Sequence, residues 1–373
     1  MTSFRLLRWI GVSAISLGLL EAALWIWAPL PVYQQQPVTK SFVQTLPGLK
    51  PEIVYTENAF GFRSRSMRTL RKPRGTIRVV CLGASTTQQT MQATDDMWSA
   101  HLERMLQRQF ASAAIEVAAY GRGGMMVADG VDWCQGTLPI LDADLVIVLW
   151  GVNDLAWHGG PDYRYDPSIL RQSPQSWKKR VLRKYSQLYR RFIQLEKRLK
   201  LTQALRTGRA VEWHSEALLS LRLAYAQAPY RAVVVRHPDP VIEFSDRINQ
   251  LAVCVTQQRR RLIVLGQPTL WKSQMAPEEQ GALWFAVHTP EGPVHPSGAW
   301  LEQEMRRYND IQRRAAEAVG ASYLPLDRLI PKTLDYFVDD CHVTDRGSLA
   351  MAEAVFPTAS TIVEEILAQR QKP

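Results

Sequence analysis

The sequence predicts an α/β fold built on a parallel sheet. Five short apolar runs have the length and composition of buried strands, at 77–82, 115–120, 145–150, 261–266 and 321–326. The first three are each followed directly by glycine, which allows a sharp turn where a strand ends. Amphipathic helical patterns lie between runs, at 95–110, 244–259 and 301–318. Because the runs are apolar throughout and alternate with helices, we expect helices on both faces of the sheet.

The length and composition are those of a globular protein. A chain of 373 residues suits one large α/β domain with additions, or two domains. A hydrophobic content of 46% is enough for a sizeable core and argues against disorder. We divide the chain into an N-terminal segment at 1–30, a stalk and lead-in at 31–74, and the α/β domain at 75–373.

The N-terminal segment has the pattern of a membrane anchor. Arg5 and Arg8 precede the stretch 9–28, which is apolar except for Glu21. Its length is about the 20 residues that a helix needs to cross a bilayer. No small-residue cleavage site is evident, so we favour a retained signal anchor over a cleaved signal peptide. Positive residues stay on the cytoplasmic side, which predicts a single-pass protein of the cytoplasmic (inner) membrane with its catalytic domain on the extracytoplasmic, periplasmic side.

The net charge of +10 is concentrated in one segment. Between 178 and 200 there are ten Lys or Arg residues and a single acid. This segment lies within 161–240, which interrupts the strand–helix rhythm and is predicted to be a basic helical insertion. We interpret its charge as a solvated helix face, with contact to anionic headgroups or an acidic glycan as the alternative. It carries no recognised nucleic-acid module, so no nucleic-acid partner is expected.

The cysteines give no motif. Cys81, Cys134, Cys254 and Cys341 lie far apart and form no CxxC pair, so neither a zinc site nor a disulfide framework is indicated. Cys81 and Cys254 lie in apolar runs and are predicted to be buried thiols. The cysteines therefore do not decide the cellular compartment.

Polar or flexible residues follow each of the first three strands, where ligands of open parallel sheets bind. Ser85 lies in the turn after the first strand, near a predicted helix start whose amides can stabilise an oxyanion. Gly123 and Gly124 can offer a backbone N–H in the loop after the second strand. Asn153 follows the third and can donate a side-chain hydrogen bond to a developing oxyanion. Taken alone, each motif is ordinary turn chemistry.

A fourth motif lies near the C-terminus, where Asp339 and His342 are three residues apart. A tight turn at this spacing can fold the carboxylate under the imidazole. The carboxylate would then fix the tautomer of the ring, while the other ring nitrogen takes a serine proton. Asp340 is the second choice as orienting acid, because its spacing to the histidine is shorter.

Taken together and in this order, the four motifs resemble the sequence blocks of the SGNH/GDSL hydrolases. The resemblance runs from about Arg78 to the C-terminus, interrupted by the basic insertion. It implies a flavodoxin-like three-layer α/β/α sandwich and a serine esterase without metal or cofactor. It further implies a catalytic triad, in which the nucleophile is Ser85, the base His342 and the orienting acid Asp339. The oxyanion hole would consist of the backbone amides of Ser85 and Gly124 and the side-chain amide of Asn153.

Two positions depart from the family pattern. Ala84 replaces the usual aspartate before the nucleophile, which removes a polar contact. Ala119 replaces the asparagine that often opens the second block, which is expected to loosen the support of the Gly124 loop. The chain also lacks the Gly-x-Ser-x-Gly elbow of α/β-hydrolases, which argues against that fold.

These features predict hydrolysis of an ester through an acyl-serine intermediate. We expect the substrate to be a short acyl group on a carbohydrate or another cell-envelope component, by analogy with membrane-anchored bacterial members of the SGNH/GDSL hydrolases. Two alternatives stay open: an O-acyltransferase on an envelope glycan that uses the same triad, and a catalytically silent envelope scaffold. Beyond the acylated small-molecule or glycan substrate and the membrane, the sequence does not identify a partner, and the protein partners are unknown.

Overall fold

A computed structural model of the protein describes most of the chain. The described residues are 2–30, 38–43, 46–156, 181–182, 185–193, 195, 228–235, 239–289 and 291–371.

A parallel sheet forms the centre of the fold, as predicted. Its strands are β3 (Ile77–Gly83), β4 (Ile115–Gly121), β5 (Leu145–Leu149), β7 (Arg261–Leu265) and β10 (Ser322–Leu324). They lie in the order β10-β7-β5-β3-β4, and every neighbouring pair is parallel. Every residue of β3, β4 and β5 is buried, because helices cover the sheet on both sides. All five predicted strands are thus confirmed, with ends that differ by one or two residues.

Helices pack on each face of the sheet. Eleven helices are labelled here: α1 (Thr2–Trp27), α2 (Ser85–Gln88), α3 (Trp98–Gln109), α4 (Val127–Gly136), α5 (Leu138–Leu141), α6 (Val152–Ala156), α7 (Pro240–Gln257), α8 (Pro277–Gly281), α9 (Gly298–Ala318), α10 (Leu326–Leu329) and α11 (Asp345–Gln371). Alternate residues of β3 enter two separate cores: Val80 and Leu82 pack in the core with α4, α7 and α9, while Val79 and Cys81 pack with α3 and α11. Burying one such aliphatic side chain stabilises the fold by about 1.5–3 kcal/mol.

Two smaller sheets accompany the central one. Strands β1 (Val38–Val43) and β2 (Glu52–Glu57) form an antiparallel pair within the predicted stalk and lead-in. The β2 residues Ile53 and Tyr55 and the following Phe62 are buried, so this stretch packs onto the α/β domain. The other sheet joins β6 (Tyr230–Arg231), β8 (Val287–Thr289) and β9 (Gly292–Pro296) and was not predicted.

A disulfide corrects the expectation for the cysteines. Cys254 of α7 is bonded to Cys134 of α4, although 120 residues separate them. The prediction of a buried Cys254 thiol is therefore wrong. Its physical reason is that α4 and α7 pack side by side on one face of the sheet, a proximity that sequence spacing does not show. Cys81 is a buried free thiol, as expected.

The N-terminal helix α1 coincides with the segment predicted to be an anchor. Among the described residues, however, no helix is found that has both the length and the apolar character to cross a membrane. The anchor therefore stays a prediction.

A short helix at 187–193, within the predicted basic insertion, contacts the end of α1. The carboxylate of Glu21 accepts hydrogen bonds from the backbone amides that begin this helix. The Gln187 side chain bonds the backbone of Leu30 through both its oxygen and its nitrogen, at 2.7 and 3.2 Å. Most of the predicted insertion at 161–240 lies outside the described residues.

Candidate active site

Ser85 lies at the start of α2, directly beyond the carboxyl end of β3. Neighbouring atoms approach the backbone at position 83 too closely for any residue but glycine. A Cβ on Gly83 would lie 2.2 Å from the Thr87 hydroxyl oxygen and 2.6 Å from the Leu149 carbonyl oxygen. Ser85 itself is half-buried, so part of the residue is accessible to solvent.

The Ser85 hydroxyl belongs to a chain of hydrogen bonds with His342 and Asp339. Ser85 Oγ lies 2.9 Å from His342 Nε2, and His342 Nδ1 lies 2.9 Å from each carboxylate oxygen of Asp339. The carboxylate can only accept at Nδ1, so the neutral imidazole carries its proton there and presents a lone pair at Nε2. This is the arrangement in which a histidine removes the proton of a serine hydroxyl.

A tight turn holds the carboxylate under the ring. Asp339 Oδ1 also accepts hydrogen bonds from the backbone amides of Cys341, at 3.1 Å, and His342, at 2.9 Å. Asp339 is 2% exposed and His342 is 8% exposed, so their interaction takes place away from bulk water. Low local polarity strengthens the attraction between the carboxylate and an imidazolium that forms during reaction.

Asp340, the second choice from the sequence, faces another way. Its carboxylate accepts hydrogen bonds from Trp271 Nε1 at 2.7 Å and from the amides of Trp284 at 2.9 Å and Phe285 at 3.0 Å. Burial, and next the negative charge of Asp339, raise the pKa of Asp340 to about 6. Asp340 therefore binds the Trp271 indole and the backbone at 284–285, while Asp339 contacts the imidazole of His342.

The structure brings the other two predicted residues to the same edge of the sheet. Gly124 lies in the loop after β4 and has a positive φ of 77°. Asn153 lies in the first turn of α6, after β5, and its Nδ2 donates to the carbonyl of Met125 at 2.8 Å. This bond uses one of the two N–H groups of the amide and leaves the second for another acceptor. It also ties Asn153 to the residue that follows Gly124.

The two departures from the family pattern are both buried. Ala84 is 3% exposed and Ala119 is 1% exposed. Ala119 exchanges two backbone hydrogen bonds with Arg63, both of 2.9 Å. The Arg63 guanidinium reaches α2 and donates to the carbonyls of Gln88 and Gln89, at 2.6 and 2.5 Å. The lead-in segment thus contacts the turn that carries Ser85.

Several buried polar residues around the site were not predicted from the sequence. They are Tyr55, Glu57, Arg63, Gln88 and Arg122. Two of them, Gln88 and Arg122, lie beside the motifs that carry Ser85 and Gly124. The segment 58–63 has turn residues that could have drawn attention, but nothing in its spacing indicates contact with the nucleophile turn.

One group among the described residues has the spacing of metal ligands, and it overlaps the triad. Ligand atoms of Asp339, Cys341 and His342 all lie within 4.8 Å of one another. Asp339 and His342 Nδ1 already bond each other, which suits proton transfer through His342 Nε2.

Comparisons with known proteins give one informative match. Residues 81–350 match the model of the GDSL-like Lipase/Acylhydrolase family. A comparison with curated proteins finds no match. Solved structures that resemble the chain include an acetylxylan esterase from Geobacillus stearothermophilus, with 11% identity, a TM-score of 0.41, and coverage of 75% of this chain and 93% of that one. Another is a carbohydrate acetylesterase family member from Sinorhizobium meliloti, with 12% identity, a TM-score of 0.41, and coverage of 77% and 99%. These structural scores are too low to support an argument about the substrate.

Proposed function

Because the chain belongs to the GDSL-like lipase/acylhydrolase family and is therefore an esterase, we propose that it hydrolyses its ester through an acyl-serine intermediate on Ser85. The observation that carries this mechanism is the hydrogen-bonded chain from Ser85 Oγ through His342 to Asp339. It supplies a nucleophile, a base with its lone pair directed at the nucleophile, and an acid that fixes the base.

The reaction then follows in two halves. Ser85 Oγ attacks the ester carbonyl carbon, and its proton passes to His342 Nε2. The negative charge on the former carbonyl oxygen is stabilised by the Ser85 and Gly124 amides and the free N–H of Asn153. The intermediate collapses, and the departing alcohol takes the proton from His342. Water then attacks the acyl-enzyme with His342 as base, which releases the acid and restores the Ser85 hydroxyl.

We further propose that the ester is a short acyl group on a carbohydrate or another cell-envelope component. This substrate class rests on the family resemblance and on the predicted anchor. Acetylated glycans are the starting point for a screen, because they carry a short acyl ester on a carbohydrate. Transfer of the acyl group to a sugar hydroxyl would use the same acyl-enzyme, with the acceptor in the place of water.

The test combines a covalent probe with a substrate screen. A fluorophosphonate should label the wild type at Ser85, through attack of Oγ on phosphorus and departure of fluoride. Ser85→Ala should give no label and no turnover. Thr86→Val is the matched control, since it removes a hydroxyl from the next residue of α2, one that makes no hydrogen bond among the described residues. It should keep both labelling and turnover.

The outcomes separate the alternative functions. Hydrolysis across acetylated glycans and esters of increasing acyl length would define the preferred acyl group. A product that changes from free acid to acylated sugar when a glycan acceptor is added would identify an acyltransferase. Folded wild-type protein that takes no label would point to a silent scaffold and overturn the proposed mechanism.

For the compartment, we propose that the α/β domain lies on the extracytoplasmic side. Arg5 and Arg8 before the apolar stretch support this orientation. The disulfide between Cys134 and Cys254 adds support, because disulfides persist mainly in oxidising compartments. A C-terminal reporter that works only in the cytoplasm would refute this placement. So would native protein in which all four cysteines react with a maleimide under denaturing conditions before any reduction.

A further inference from the structure

We propose that Gln88 is a positioning residue of the esterase reaction, which holds the oxyanion-donor loop against the nucleophile turn. The inference rests on the proposed function, since it assigns a role relative to Ser85 and Gly124. Gln88 ends the single helical turn that Ser85 begins, so both residues belong to one short rigid unit. Its side chain is 4% exposed and crosses from the turn after β3 to the loop after β4.

The contact to the loop is a hydrogen bond from the Gly123 amide to Gln88 Oε1, of 3.0 Å. This bond engages the Gly123 N–H and leaves the Gly124 N–H, one residue later, as the proposed oxyanion donor. Gly124 has a φ of 77°, which L side chains rarely adopt, so the direction of the chain changes at this residue. Consecutive peptide planes share one Cα, so once the Gly123 amide is fixed, only the φ and ψ of Gly123 set the direction of the Gly124 N–H.

The orientation of the Gln88 amide is itself determined. Its Nε2 donates to the Tyr55 hydroxyl oxygen at 3.2 Å and to Glu57 Oε1 at 3.4 Å. The Tyr55 hydroxyl in turn donates to Glu57. A carboxylate can only accept and a backbone amide can only donate, so Oε1 must face the loop and Nε2 must face Glu57.

Glu57 also binds the donor loop directly. Arg122, between β4 and Gly124, donates to Glu57 Oε1 at 2.9 Å and to Oε2 at 3.3 Å. Its guanidinium donates further to the carbonyl of Gly61 at 3.1 Å. One carboxylate from the lead-in therefore orients Gln88 on the nucleophile side and anchors Arg122 on the loop side. A neutral residue at Glu57 or at Arg122 would leave the other charge buried without a counter-charge. Gln88 is uncharged, so it is the better position for a test.

The test replaces Gln88 by methionine, which has a similar volume and lacks both hydrogen-bonding atoms. Gln107→Met is the matched control, because Gln107 Nε2 donates to the Ile115 carbonyl at 2.8 Å, at the opposite end of β4. Each variant is titrated with a fluorophosphonate, so that kcat is expressed per reactive serine rather than per total protein. KM and the affinity for a boronic acid, whose serine adduct is tetrahedral, are measured beside it.

A displaced oxyanion donor should cost less than a deleted one. We expect Gln88→Met to lower kcat per reactive site by roughly 10- to 100-fold, with KM nearly unchanged. Boronic acid affinity should fall by a similar factor, since the adduct places an oxygen where the charge develops. Gln107→Met should keep kcat per site, KM and boronic acid affinity at wild-type values. Tyr55→Phe, which removes one acceptor from Gln88, should give a smaller loss of the same kind.

The results distinguish this inference from the proposed function. Wild-type kcat per site in Gln88→Met, or a change in KM alone, would overturn the positioning role while Ser85 still takes the label. If Gln88→Met does not fold, Tyr55→Phe decides: an unchanged kcat per site and boronic acid affinity would overturn the role. A wild type that takes no label would refute the proposed function itself, and the inference with it.

Discussion

Replacing Asp339 by asparagine should reverse the tautomer of His342. The Oδ1 of the new side chain can keep the two backbone hydrogen bonds that Oδ1 of Asp339 accepts from Cys341 and His342. Its Nδ2 then takes the place of Oδ2, 2.9 Å from His342 Nδ1. Nδ2 can only donate, and Oδ1 is already engaged by two backbone amides, so the contact of Nδ2 with Nδ1 favours the tautomer in which Nδ1 accepts and the ring proton lies on Nε2. Nε2 can then no longer take the proton of Ser85.

The magnitude follows from this geometry. The same change in a serine protease triad costs on the order of 10⁴ in kcat, or roughly 5 kcal/mol of transition-state stabilisation. We expect a loss of similar size for Asp339→Asn, because its carboxylate contacts both the ring and the turn. Stability should change little, since the backbone hydrogen bonds are retained. The assay is kcat per folded molecule on a small soluble ester, with the melting temperature measured in parallel.

Asp340→Asn is the matched control, one residue away. It places an Nδ2 donor against either Trp271 Nε1 or the amides of Trp284 and Phe285, and leaves a buried donor unsatisfied. The cost should be about 1–3 kcal/mol of stability, with kcat per folded molecule within a few-fold of wild type. If Asp340→Asn lost activity as severely as Asp339→Asn, or if Asp339→Asn kept most of its activity, the assignment of Asp339 as orienting acid would be wrong.

Three further outcomes are expected. Asn153→Ala should lower kcat by on the order of 10²–10³ with KM nearly unchanged, because it removes one oxyanion donor; a change in KM alone would show that Asn153 only binds ground-state substrate. Burial raises the pKa of Asp154 to about 7, above its unfolded value of 3.8. The stability contributed by its proton is therefore full below pH 3.8, and the unfolding free energy should fall by about 1.4 kcal/mol per pH unit as the pH rises toward 7. In urea titrations between pH 5 and 8, Asp154→Asn should remove this share of the slope, and an unchanged slope would contradict the assignment. Reduction of the bond between Cys134 and Cys254 should lower stability by about 2–5 kcal/mol, and the double alanine variant should be insensitive to reductant; a wild-type melting temperature that reductant does not change would argue against the pairing.

The central sheet could be predicted because its signals are local. A buried parallel strand is a continuous apolar run, and the runs at 77–82 and 145–150 correspond closely to β3 and β5. Motifs at the ends of such strands meet at one edge of the sheet by topology alone. For that reason, Ser85 and Asn153 could be placed near each other without any knowledge of their contacts.

The features that could not be predicted depend on contacts between residues far apart in the sequence. The partner of Cys134 is 120 residues away, and only the packing of α4 on α7 brings them together. The choice between Asp339 and Asp340 depended on which carboxylate the Trp271 indole and the 284–285 amides would engage. The sheet of β6, β8 and β9 has strands of two to five residues, too short for a periodic pattern to be visible.

The loop that carries Gly124 is supported differently from what the family pattern implies. Ala119 lacks the side-chain amide that usually opens the second block, and the loop was expected to be less well supported. In the structure, the loop is instead held from outside its own block, by Gln88 at Gly123 and by Glu57 at Arg122. Glu57 belongs to the lead-in, so its bond to Arg122 joins this segment to the α/β domain. It follows that a truncated protein starting at residue 75 would lose part of the proposed site, although it would retain all three residues of the triad.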